Sequence, residues 1–157
     1  MTYEELQIQN SDLNIREMDL SEVIGLKGLY INGNIAIKQD MSTTEKACVL
    51  AEELGHHYTT VGNILNQSDV SNRKQELHAR LWAYNKQIGL MGIIQAYKRR
   101  CQNLAEMADY LDVTEEFLAN ALDQYRKKYG CQVEIDNYII FFEPYFAVME
   151  RVCQINE

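Results

Sequence analysis

The sequence predicts an α+β fold that is mainly helical, with one small β-hairpin near the N-terminus and a second near the C-terminus. The first hairpin is predicted because Asn32-Gly33, a dipeptide that tolerates positive φ, joins two apolar runs between residues 28 and 38. The main helix is predicted because a capping box, Ser42-Thr-Thr-Glu45, precedes a run with helical periodicity that extends to Tyr58.

The other elements are predicted from apolar periodicity and turn residues. Helices are expected over 2–9, 73–88 and 90–101, a helical pair over 104–130, a polar loop over 59–72, and the second hairpin over 131–142. Thr114 should cap the second member of the helical pair, and Gly130 should end it. The segment 10–28 is mixed, and its core candidates are Ile15, Met18, Leu20 and Val23.

Composition and charge restrict the class of partner. The 157-residue chain is 46% hydrophobic, enough for a core, and carries a formal net charge of −8. This charge repels nucleic acid and anionic membrane surfaces, so we expect no direct nucleic-acid or membrane binding. The chain has neither a recognisable leader nor a long apolar segment, and its four scattered cysteines predict reduced, mostly buried thiols. A cytoplasmic location is the expectation.

Two faces can be assigned to the helix that follows the capping box. At about 100° per residue, one face is apolar and should be buried. Its members are Ala47, Leu50, Ala51, Leu54 and Tyr58. Glu52 and His56 point together to the opposite face, and Glu53 flanks them.

This opposite face has the spacing of a zinc peptidase helix. In the H-E-x-x-H motif, two ligands four residues apart share one face, and the glutamate after the first ligand acts as general base. Here the pentapeptide is Glu52-Glu53-Leu54-Gly55-His56, so Glu52 and His56 are the predicted metal ligands and Glu53 the predicted base. Gly55 costs about 1 kcal/mol in mid-helix, which suggests a close backbone approach there. The simpler interpretation is a solvated acidic face with an incidental histidine.

The next helix offers a third ligand. Ala79, Trp82 and Ala83 form a face suited to close helix packing, and Glu76 lies on the edge of that face. Glu76 is the favoured ligand and His78 the alternative, because the two are about 200° apart and cannot both point at one metal. A third possibility is that Glu76 only pairs with a neighbouring arginine on the surface.

At this point the sequence resembles a known family. The segment 50–59, preceded by the hairpin and followed by Glu76-x-x-Ala79-x-x-Trp82-Ala83, is similar to the ImmA/IrrE metallo-endopeptidases of phages and integrative elements in Gram-positive bacteria. The resemblance covers about residues 25–145. It implies a zincin-like core over 1–90, with a helical subdomain over 91–157 that ends in the second hairpin and packs on the core as one unit.

The resemblance also implies chemistry and a partner. Glu52 falls on the first ligand, Glu53 on the general base and His56 on the second ligand, with zinc as the expected metal and manganese as an alternative. The implied substrate is a protein, a helix-turn-helix repressor whose cleavage frees genes of the mobile element. Relatives often carry the third-ligand glutamate directly before the first alanine of that helix, where this chain has His78.

Several points stay open at this level. Because Glu52 replaces a histidine, the chain could be an active peptidase, a weak one, or an inactive homologue that binds a repressor without cutting it. Tyr30, Tyr58 and Tyr84 are candidate oxyanion or substrate contacts, whereas His57 is expected to be a hydrogen-bonded core residue. A peptide substrate is expected to add to an exposed strand of the first hairpin.

A DNA-binding interpretation of the helical pair is disfavoured. Residues 103–123 have the rhythm of a helix-turn-helix, but they contain six acidic residues and no lysine or arginine. A recognition helix needs cations for the phosphate backbone. We therefore expect this pair to support the catalytic helices or to hold a protein substrate.

Overall fold

The computed structural model describes residues 1–60 and 69–152, with the side chains of 69–71 left out. The predicted α+β class is confirmed. In chain order the elements are α1 (Tyr3–Gln9), β1 (Asn14–Met18), β2 (Gly28–Ile31), β3 (Asn34–Lys38), α2 (Thr43–Thr60), α3 (Asp69–Gln87), α4 (Gly89–Lys98), α5 (Leu104–Tyr110), α6 (Glu115–Tyr129), β4 (Gln132–Ile135), β5 (Tyr138–Phe141) and β6 (Ala147–Glu150).

The first hairpin forms as predicted, with β2 and β3 antiparallel and Ile31 opposite Asn34. Asn32 and Gly33 both have positive φ, 47° and 81°, as a type I′ turn requires. The sheet has the order β1-β3-β2, so β2 forms one edge.

Strand β1 was not predicted. It pairs in parallel with β3, and Ile15 lies opposite Ile35. Parallel strands are not joined by a tight turn, so the sequence between them gives no turn signal. Ile15 packs against the core as expected. Met18 and Val23, also predicted to be in the core, are exposed, so that part of the prediction is wrong.

Helix α2 begins at the predicted capping box. The hydroxyl of Ser42 accepts a hydrogen bond from the Glu45 backbone N–H, and the Glu45 carboxylate accepts one from the Ser42 backbone N–H, both at 3.2 Å. The predicted apolar face is buried except for Tyr58, which is 46% exposed and therefore corrects the prediction. Tyr58 lies at the rim because its ring stacks on Trp82 of α3.

Helices α2 and α3 approach very closely at Gly55. A Cβ atom placed on Gly55 would lie 2.2 Å from the carbonyl oxygen of Ala79, a distance that real Cβ atoms do not show. Ala79 and Ala83 are both fully buried, as the predicted packing face requires. The suggestion that Gly55 marks a close backbone approach is confirmed, and this approach brings the opposing side chains of the two helices together.

Helix α3 starts earlier than predicted. It begins at Asp69, so residues 69–72 of the predicted loop are helical, as are Thr59 and Thr60 at the end of α2. Residues 61–68 of that loop lie outside the described part of the chain.

The C-terminal half contains the predicted helical pair and hairpin. The hydroxyl of Thr114 accepts a hydrogen bond from the Phe117 backbone N–H at 3.1 Å, and Gly130, with φ 80°, ends α6. The second sheet has the order β4-β5-β6 and is antiparallel throughout. Strand β6 was not predicted, because it follows Pro144, at which the hairpin was expected to stop.

Three cysteines can be compared with the prediction of buried, reduced thiols. Cys48 is buried, Cys101 is half-buried and Cys131 is exposed, and all three are free. Cys131 therefore departs from the expected burial, and Cys153 lies outside the described residues. None of the helices in the described ranges is long and apolar enough to cross a membrane.

The contact at Gly55 predicts a large effect of one methyl group. We expect Gly55→Ala to lower the free energy of unfolding by about 2 kcal/mol or more, because the new Cβ must push α3 away from α2. Chemical denaturation measures this change. The control is Gly92→Ala in α4, where the added Cβ would lie 3.3 Å from a flexible Leu111 methyl group. Equal stability of the two variants would contradict the close approach.

Candidate active site

The site is built around a contact between α2 and α3. Nε2 of His56 lies 3.5 Å from Oε1 of Glu76, directly beside the close approach at Gly55. The His56 side chain is 24% exposed and that of Glu76 is 52% exposed, so the pair faces solvent without lying fully in it. A histidine and a glutamate from two different helices are thus held together.

The two third-ligand candidates occupy different positions. Glu76 contacts His56, and it also lies 4.0 Å from the Nε atom of Arg80 on its own helix. His78 is exposed. The contact therefore favours Glu76 over His78 as a partner of His56.

Glu52 and Glu53 lie on α2 one turn before His56, and both are half-buried. Burial raises the pKa of the Glu52 carboxyl, and the Glu76 carboxylate raises it further, against an opposing effect of Arg80. Burial likewise raises the pKa of Glu53 to about 7, helped by the negative charges of Glu52 and Glu76. The charges of Glu52, Glu53 and Glu76 therefore act on one another, and a cation in this region would be stabilised.

The Glu53 carboxyl group lies against the edge strand β2. A Cβ atom on Gly28 would lie 2.8 Å from Oε1 of Glu53 and 2.6 Å from Cγ1 of Val49. Glycine at this position therefore leaves the space that the Glu53 side chain occupies. The predicted general base thus extends from α2 to strand β2, which is the end strand of its sheet.

The side chains suit a divalent metal in their chemistry. An imidazole nitrogen and carboxylate oxygens are accepted zinc ligands. His56 and Glu76 are already in contact, and Glu52 lies four residues before His56 on the same helix. Within residues 1–60 and 69–152, however, no three His, Cys, Asp or Glu side chains converge closely enough to hold a metal together. Two of the predicted ligands share a site, and the role of Glu52 as the third remains a prediction.

His57 points away from this pair. Its Nδ1 atom lies 3.0 Å from the Tyr30 hydroxyl, within hydrogen-bond distance, and the ring packs edge-on against Tyr58. His57 is half-buried, and its contact with Tyr30 links the end of α2 to strand β2. The expectation that His57 serves packing and hydrogen bonding agrees with this position.

The three candidate tyrosines lie in different surroundings. Tyr30 is bound to His57, and the Tyr58 hydroxyl donates a hydrogen bond of 2.6 Å to Oδ1 of Asn10. Both hydroxyl groups are therefore engaged within the protein. Tyr84 is 3% exposed and packs edge-on against Phe117, with ring centroids 5.0 Å apart. Burial and the Glu52 carboxylate both raise the pKa of Tyr84.

A cleft of about 670 Å³ opens beside Glu52, between α2, α3 and α6. Its lining includes Tyr84 and Arg80 from α3 and Glu116 and Phe117 from α6. Sequence reasoning missed Gly28 and Glu116 as parts of this region, and it considered Arg80 only as a possible partner of Glu76, which Arg80 does contact. Gly28 opens a predicted strand, which is a weak signal, and Glu116 carries none because only the packing of helices brings it to the cleft.

The Tyr30 contact predicts a measurable effect on stability. We expect Tyr30→Phe to lower the free energy of unfolding by about 1 kcal/mol, because it leaves Nδ1 of His57 without its partner. Denaturant titration provides the measurement. Tyr145→Phe is the matched control, since Tyr145 is 81% exposed. If both substitutions cost the same, the link between β2 and α2 does not contribute to stability.

Comparison with known proteins identifies a family for the chain. Neither a curated protein nor a solved structure matches the chain significantly. A family model does match: Peptidase_M78, described as the IrrE N-terminal-like domain, covers residues 8–123. This range includes the first sheet, both site helices and most of α6, as the zincin-like prediction requires. Because the match extends over more than half of its length, the chain belongs to the IrrE N-terminal-like family of metallopeptidases.

Proposed function

We propose that the protein is a metal-dependent endopeptidase that uses Glu53 as the general base. The observation that carries this proposal is the contact of His56 with Glu76 across α2 and α3. Glu53 lies three residues before His56 on α2, within range of the charge of Glu76. Membership of a metallopeptidase family supports a protein substrate and a metal cofactor.

His56, Glu76 and Glu52 are proposed to hold the metal, with zinc favoured and manganese as an alternative. A bound divalent metal would activate a water molecule and polarise the scissile carbonyl group. Glu53 would take the proton from the attacking water and pass it to the leaving amine. Its position between α2 and the β2 edge supports this role, because a peptide added to β2 would lie beside it.

Substrate positioning is proposed to depend on the edge strand. Strand β2 has a strand neighbour on one side only in the described sheet, so its other edge can pair with an extended peptide. Tyr30, whose hydroxyl is held by His57, fixes this strand against the catalytic helix. Tyr58 is proposed to contact substrate only at the rim, since its hydroxyl is bound to Asn10.

We further propose that the substrate is a helix-turn-helix repressor encoded by the same mobile element, which would place the reaction in the cytoplasm. The support is the resemblance of residues 50–59 and 76–83 to the phage-borne peptidases. Helices α5 and α6 would contribute to binding of this protein, since α6 lines the cleft beside Glu52.

The ligand assignment makes a prediction about metal binding. We expect His56→Ala and Glu76→Gln each to weaken zinc binding by at least about 100-fold, since removal of an indirect support alone costs 10- to 100-fold. Calorimetric titration of the purified protein with zinc, and then with manganese, measures the loss. The control is His78→Ala, which should bind zinc like the unchanged protein. If His78→Ala loses zinc binding and Glu76→Gln keeps it, His78 and not Glu76 is the third ligand.

The role of Glu53 makes a separate prediction. Glu53→Gln should retain the metal but lower the rate of repressor cleavage by about 100- to 10,000-fold, because the amide cannot accept the proton. The measurement is electrophoresis of the repressor encoded by the same mobile element, after its incubation with the metal-loaded protein. Equal cleavage by the variant would rule out the base. Repressor binding without cleavage by the unchanged protein would instead identify an inactive homologue.

A further inference from the structure

The cleft beside Glu52 contains polar groups that the proposed reaction does not use. It is formed by α2, α3 and α6, and at about 670 Å³ it can admit a long side chain. Glu52, the first predicted ligand, lines one wall, so any group in the cleft lies next to the proposed site of cleavage. The opposite wall is α6 from Glu116 to Gln124, including Asn120.

Tyr84 adds a buried polar side chain to the lining of this cleft. The residue is only 3% exposed, and its hydroxyl forms no hydrogen bond with any residue of the described ranges. In those ranges, the side-chain oxygen and nitrogen atoms that lack both a hydrogen-bond partner and contact with solvent are Tyr3 Oη and Gln87 Oε1. The Tyr84 hydroxyl is not one of them, so it keeps some contact with solvent. A buried hydroxyl that remains open only to a cleft is suited to bind a ligand there.

The charges of the cleft decide which ligand fits. Its two cations are already paired, Lys27 with Glu45 at 3.9 Å and Arg80 with Glu76 at 4.0 Å. Asp123 is likewise paired, at 2.7 Å from both Arg126 and Lys127.

Glu116 has no such partner. No lysine, arginine or histidine of the described ranges lies within 4.0 Å of its carboxylate. Glu52 is assigned to the metal in the proposed function, so Glu116 is the carboxylate of the cleft whose charge is left without a partner. A cationic side chain placed beside Glu116 would be attracted to it, and the Tyr84 hydroxyl could accept a hydrogen bond from that side chain.

We propose that this cleft binds the substrate side chain adjacent to the scissile bond and selects arginine or lysine through Glu116. The inference rests on the proposed peptidase function, which supplies the scissile bond, but selection of a cation depends on Glu116 and not on the reaction. Because Glu116 belongs to α6, the specificity of the site depends on the C-terminal half of the chain.

The test compares two peptides that differ only in charge. An acetylated hexapeptide with one central arginine, and the same peptide with the neutral isostere citrulline, are titrated calorimetrically into full-length, zinc-loaded Glu53→Gln protein, in which cleavage is suppressed. We expect the arginine peptide to bind about five-fold more tightly, the value of an ion pair worth about 1 kcal/mol. The preference should fall toward unity when Glu116→Gln is added.

The matched control is Glu115→Gln. Glu115 is exposed in the same first turn of α6 but does not line the cleft, so the arginine preference should persist. Equal affinities for the two peptides, no binding of either, or an equal effect of the two glutamine substitutions would overturn the inference. If the arginine preference depends on Glu116 but the unchanged protein cleaves no substrate, the specificity of the cleft is supported and the proposed peptidase function is refuted.

Discussion

The close packing of α2 against α3 at Gly55 is the constraint on which the site depends. With no side chain at Gly55, the backbone of α2 can approach the carbonyl oxygen of Ala79. This approach brings the next residue, His56, to within 3.5 Å of Glu76. Because helix pairs usually pack 8–10 Å apart at distances set by the side chains between them, a larger residue at position 55 would separate these two groups. Gly55 is thus explained by geometry rather than by helix propensity, which opposes it.

The same packing concentrates negative charge. Burial raises the pKa values of Glu52 and Glu53, the negative charges around them raise these pKa values further, and Arg80 opposes the shift at Glu52. Such an arrangement costs stability unless a cation or a proton is present. A metallopeptidase family explains why the cost is tolerated, because the proposed function places a divalent metal there. The resemblance implies that Glu52 stands where relatives carry a histidine, and in the proposed site this glutamate adds one negative charge.

Sequence patterns predicted the local elements well. The Asn32-Gly33 turn, the capping box at Ser42 and the cap at Thr114 all involve residues within four positions of one another, so their hydrogen bonds do not depend on the rest of the fold. The failures have a common cause. Strand β1 pairs with a strand 20 residues away, and β6 depends on an edge provided by β5. Tyr58 fits the helical apolar face but lies at the rim, because the stripe extends past the region that other elements cover.

By itself, the sequence determined the helix that carries Glu52, Glu53 and His56, and it assigned them to one face, because helical periodicity is a local property. It left Glu76 and His78 as alternatives for a third ligand. Only the tertiary structure distinguished their positions: Glu76 contacts His56 and His78 is exposed, since the rotation of α3 against α2 is set by Gly55 and Ala79. The cleft with Glu116 likewise exists only in the folded chain, because α6 follows α3 only after two further helices and reaches the cleft through tertiary packing.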